Sequence, residues 1–78
     1  MNGMDARKVF SAVITQGETA FIAYCPELGV TSQGTSEDDA IENLREAVAL
    51  YLDDADVQEM LKKHPARLAH VTPLILPA

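Results

Sequence analysis

The chain is predicted to fold as an α+β domain: an antiparallel three-stranded sheet followed by an amphipathic helix, a short second helix and a further edge strand. Three observations lead there. Two runs rich in β-branched and aromatic residues, Lys8–Gln16 and Thr19–Cys25, flank the turn pair Gly17 and Glu18. Pro26, which has no N–H for a ladder, and Gly29 then turn the chain into a short polar strand over 30–33. From Ser36 onward the apolar period lengthens from two residues to about 3.6, the mark of a helix. With 78 residues this is a single domain, 1–78, of the size at which a core buries only about 60 to 65% of the unfolded surface.

Taken in order, residues 1–7 form a short flexible lead-in. The first strand spans 8–16, and the two-residue break at Gly17 and Glu18 makes it a hairpin with the second strand, 19–25. Alternation places Phe10, Ala12 and Ile14 on one face of the first strand, with Val9, Ser11, Val13 and Thr15 on the other. On the second strand Ala20, Ile22 and Tyr24 oppose Phe21, Ala23 and Cys25. Neither strand has a clean polar face, so one covering helix leaves apolar surface behind and self-association is expected, as a homodimer or homotetramer. Tyr24 and Tyr51 read as core residues with the hydroxyl at the rim.

Ser36 caps the first helix, and Asp39 answers it as a short-armed capping box. With Ile41 set to zero on a helical wheel, Leu44, Val48, Tyr51 and Leu52 fall between about −80° and +20° and form the core face. Asp38, Glu42, Asp53, Glu46 and Asp39 fall between about +60° and +160°, as one acidic stripe. Asp54 or Asp56 starts a second helix through Val57, Met60 and Leu61, which ends before Pro65. Leu68–Leu76 reads as a last strand, which Pro73 restricts to an edge or a bulge.

The formal net charge of −6 speaks against direct binding to nucleic acid or to an anionic membrane, since both rest on Lys and Arg. The charge is concentrated: residues 34–59 hold nine acids against the single base Arg45, a net −8, and the remainder is slightly positive. No apolar run is long enough to span a bilayer, no signal-peptide stretch follows Met1, and the one cysteine fits a reducing compartment, so a cytoplasmic protein is expected.

The sequence offers little for catalytic or metal chemistry. His64 and His70 are too few for a structural zinc site, and Cys25 has no second cysteine beside it. Neither Asp53 nor Asp54 starts a calcium-loop series. The serines stand in no nucleophile-elbow motif and the four glycines form no phosphate loop. No enzyme, cofactor or resident metal is expected. The acidic stripe is either a solvated face or a surface for something basic.

The run Cys25-Pro-Glu-Leu-Gly29, then Ser32-Gln-Gly34, Ser36 with Asp39-Ala40-Ile41, Asn43-Leu-Arg-Glu-Ala47 and Leu50-Tyr51-Leu52 resembles, in order and spacing, the HicB family of antitoxins. The match covers about residues 8–52. The family's Leu-Pro-Gly turn lacks its proline here, Thr35 stands where Asp is frequent, and Ser36 replaces the capping Thr. The resemblance implies a partial ribonuclease-H-like fold that assembles as a dimer or higher oligomer. Because the sequence stops at Ala78, it is expected to be a stand-alone short member without the DNA-binding segment that many relatives carry.

Ribonuclease H chemistry needs carboxylates converging on two metal ions, at least one of them on the first strand, and 8–16 contains no acid. The resemblance therefore implies an antitoxin-like protein that occludes a small basic mRNA-cleaving toxin of the HicA type. Asp39, Glu42 and Glu46, which the core does not use, are the candidate partner-binding residues. The alternatives are an orphan oligomeric scaffold without a toxin, and a metal-dependent nuclease using Asp38, Glu42 or the cluster from Asp53 to Asp56.

Overall fold

A computed structural model of the chain describes residues 8–78; the lead-in expected over 1–7 lies outside them. Strand β1 is Val13–Gln16, β2 is Phe21–Cys25 and β3 is Val30–Gly34, paired antiparallel in the order β1-β2-β3. Helix α1 spans Glu37–Leu52 and α2 spans Ala55–Lys63. The predicted α+β arrangement of sheet and two helices is present. Its register places Ile14 opposite Ala23 and Ala23 opposite Ser32, so the Phe21, Ala23 and Cys25 side of β2 is the side that α1 covers.

Three local expectations need correction. β1 starts at Val13 rather than Lys8, because the Ser11 N–H donates 2.8 Å to Glu27 Oε1 and not to a strand neighbour. Phe10 still packs against the core from that irregular approach. The hairpin connection is longer than two residues: Gln16 pairs with Phe21, and residues 17–20 close with a 2.8 Å bond from the Gly17 N–H to the Ala20 carbonyl. The predicted last strand, Leu68–Leu76, does not form. The Ala69 N–H is taken by Glu27 Oε2 at 2.7 Å and Pro73 offers no donor, so the segment runs irregularly past the sheet.

The helix boundaries follow the capping residues. Ser36 has extended backbone and its hydroxyl accepts from the Asp39 N–H at 3.0 Å, while Asp54 Oδ1 accepts from the N–H groups of Asp56 and Val57. Lys62 and Lys63 lie in the last turn of α2, where the helix dipole favours cations, and α2 ends before Pro65. The Asn43 side chain donates 2.9 Å to the Gln33 carbonyl and ties α1 to β3.

The buried core of the described residues is small: Ala23, Cys25, Ala40 and Leu44, with Phe10, Ile14, Phe21, Leu28, Val30 and Val48 packed around it. Burying Leu44 contributes about 1.5 to 3 kcal/mol, and two alanines contribute much less. Their small size is what lets α1 approach the sheet closely. At Gly34 a Cβ would sit 2.4 Å from the Ala40 nitrogen and 2.7 Å from the Asp39 carbonyl carbon, so only glycine fits where β3 passes under the start of α1. Gly29 has a φ of 72°, the left-handed conformation that glycine adopts without a Cβ clash.

Candidate partner-binding surface

The acidic surface is set up by the start of α1. Ser36, the cap, orients the first turn, and Glu37, Asp38 and Asp39 all fall within it, where the aligned peptide dipoles favour negative charge. All three are exposed. Asp39 has a structural duty as well: its Oδ2 accepts from the Thr35 N–H at 3.0 Å and from the Thr35 hydroxyl at 3.3 Å. The capping box of the sequence reading is thus present, displaced by one residue, because the short Asp arm meets Thr35 instead of the Ser36 N–H. One oxygen of Asp39 remains outside these bonds.

Glu42 and Glu46 follow at the spacing of one helical turn, both exposed. Glu42 pairs with Arg45, but both side chains are about two-thirds exposed, so water screens the pair and it holds neither group tightly. Glu46 makes no hydrogen bond or salt bridge among the described residues. Asp53, at the end of α1, and Asp56 and Glu59 on α2 are exposed and likewise unpaired there, whereas Asp54 is used as the α2 cap. The three predicted residues therefore share one helix but differ in freedom: Glu46 is unoccupied, Glu42 is loosely paired and Asp39 is half-committed.

Beside this stripe an open groove of about 330 Å³ lies between α1 and the stretch before β1, bordered by Phe10, Ala12, Ile41, Val48 and Leu52, with Arg45 and Lys8 as its charged members. It exists because α1 lies over β2 and β3 and leaves the β1 side of the core less covered.

A second polar constellation escaped the sequence reading. Glu27, in the turn after β2, accepts from the Ser11 N–H through Oε1 and from the Ala69 N–H through Oε2, while the Ser11 hydroxyl donates 2.9 Å to the Ala69 carbonyl. Partial burial alone would push the Glu27 carboxyl up, but the bonds from Ala69 and Ser11 outweigh it and hold the group at about 2. One carboxylate thus clasps the approach to β1 and the C-terminal segment to the same turn. The Cys25 thiol, buried and 3.4 Å from Glu27 Oε1, is pushed up by burial, with the neighbouring carboxylate adding to the effect. It is a buried core residue. No group of three His, Cys, Asp or Glu side chains able to hold a metal ion occurs among the described residues. Within the same residues no helix is long and apolar enough to cross a membrane.

A UPF0150 protein of Helicobacter pylori (strain J99) is 40% identical over 53 residues, which cover 67% of this chain and 74% of that relative. No family model and no solved structure matches the chain.

Proposed function

The chain belongs to the UPF0150 family, and from that premise we propose that it is a HicB-like antitoxin, which neutralises a small basic HicA-type ribonuclease by covering its RNA-binding and catalytic surface. The observation that carries this reading is the row of exposed carboxylates along α1 and the α1–α2 junction, in a stretch of net charge −8. An RNA-cleaving protein must present positive charge to its substrate, and an acidic ridge imitates the phosphate backbone that such a surface is built to hold. The ridge steers encounter and fixes orientation. The apolar groove alongside α1 supplies surface that contact with a protein can dehydrate, which RNA cannot match.

Within the ridge, Glu42 and Glu46 carry the contact, and Asp39 contributes charge while its second role holds the helix start in place. Binding requires no metal and no chemistry on the antitoxin, in keeping with a first strand, Val13–Gln16, that contains no acid. The test is a titration of this chain into an RNA-cleavage reaction run by a small basic HicA-type ribonuclease. Cleavage is expected to stop at a one-to-one ratio of chains; undiminished cleavage at excess would refute the proposal.

A further inference from the structure

The groove beside α1 does not end at Leu52. Two further hollows adjoin it towards α2, and all three share Lys8 and Leu52 on their borders. The lining is apolar: Phe10, Val48, Leu52 and Leu61 are half-buried there, with the buried Leu44 behind them. Its charged members are Lys8, Arg45 and Lys62, with no acid among them, in a chain where acids outnumber Lys and Arg by 12 to 6. Lys8 and Lys62 make no hydrogen bond or salt bridge among the described residues, and Arg45 has there only its screened pair with Glu42. An acidic protein thus carries one apolar cleft whose edge is purely cationic.

We propose that this cleft binds a small amphiphile with a single anionic head, a fatty carboxylate in chemical class, its chain along the apolar lining and its head at Arg45 and Lys8. Charge selects the ligand. An apolar lining with a few cationic groups at its edge is the make-up of a small-molecule site for an anion, and about 330 Å³ for the first hollow alone lies within the usual range of such sites. A guanidinium meets a carboxylate with two parallel N–H bonds, and beside an apolar wall salt screens them less than it screens an open pair. Larger anions are turned away, because the exposed Glu42 and Glu46 repel a polynucleotide or an anionic membrane surface extending across them. A cationic amphiphile meets like charge at Lys8 and Arg45. A second apolar cleft, on the far face of the sheet, serves as an internal comparison: Tyr24, expected in the core with only its hydroxyl at the rim, is 41% exposed there, and no Lys or Arg borders it. Binding at that cleft would be indifferent to an anionic head. The antitoxin reading lays a protein against the groove beside α1, so ligand and partner would compete for it, but the ligand site stands without that reading.

The test is an NMR titration of the full chain with decanoate, kept below micelle formation and followed at the backbone amides. Shifts are expected at Phe10, Arg45, Val48 and Ala49, with a dissociation constant of about 1 mM or below. Decylammonium is expected to bind at least about tenfold more weakly, and acetate not to bind. Ala49→Glu, an exposed helical position on the border of the groove that tolerates glutamate, is expected to weaken decanoate at least about tenfold, as is Lys8→Gln with Arg45→Gln. A chain that does not bind decanoate overturns the proposal. So do equal affinities for decanoate and decylammonium, binding indifferent to Ala49→Glu, shifts confined to the surroundings of Tyr24, or a groove filled by a second copy, seen as a mass of two chains that Ala49→Glu reduces to one.

Discussion

Replacing Glu27 by Gln tests whether one carboxylate holds both ends of the described chain to the sheet. A carboxylate accepts at both oxygens, and here each receives a backbone N–H, from Ser11 at 2.8 Å and from Ala69 at 2.7 Å. Glutamine has one accepting oxygen, and its NH₂ group would face the other donor. A bond to a charged acceptor contributes about 1.5 to 3 kcal/mol net, and because Glu27 is only half-buried, water replaces part of it, leaving a loss of about 1 to 2 kcal/mol. Amide hydrogen exchange reads this directly: protection at Ser11 and Ala69 should fall about 5- to 30-fold, at one tenfold step per 1.36 kcal/mol.

The pH dependence has a defined sign. The folded carboxyl lies at about 2 against 4.5 for a free one, so its contribution is complete above pH 4.5 and is lost as pH falls from 4.5 towards 2. The Gln variant should lack that transition. Unchanged protection at Ala69 in the variant, or a wild type whose tail stays protected throughout acid titration, would refute the clasp.

Gly34→Ala should cost about 1 to 3 kcal/mol, since its Cβ would meet the backbone of Asp39 and Ala40 and not a flexible side chain; thermal unfolding should show a fall of several degrees or more per kcal/mol. Ser36→Ala removes the hydroxyl that accepts from the Asp39 N–H and should cost about 0.5 to 2 kcal/mol in urea unfolding with an unchanged slope. Leu44→Ala, in the only large aliphatic side chain that is buried among the described residues, should cost about 2 to 5 kcal/mol, read as a lowered thermal midpoint by circular dichroism.

Both helices were legible because their signals are local. Ser36, Asp54 and Pro65 mark ends within one turn of the residues they cap or stop, and the apolar spacing from Ile41 to Leu52 shows which side is buried. The strand limits and the fate of the tail were not, because they are decided by Glu27 across 16 and 42 residues of chain, a distance over which no sequence period operates. Leu68–Leu76 has the composition of a strand, yet composition cannot report that Ala69's donor is already taken by a carboxylate. The acidic stripe was legible as charge. The division of labour inside it was only half so: the Asp39 cap follows from its spacing to Ser36, but its bond to Thr35 and the Glu42–Arg45 pair needed coordinates.

Reversing Asp39 would damage the start of α1 as well as any contact, so the decisive variant is Glu42→Lys with Glu46→Lys, leaving the cap intact. Its affinity for a small basic ribonuclease of the proposed HicA type, measured by calorimetry at low and high salt, is expected to be about 10- to 100-fold weaker than wild type at low salt, with the difference shrinking as salt screens the field. Equal affinity of variant and wild type at low salt would refute the proposal and remove the α1 carboxylates from the proposed contact.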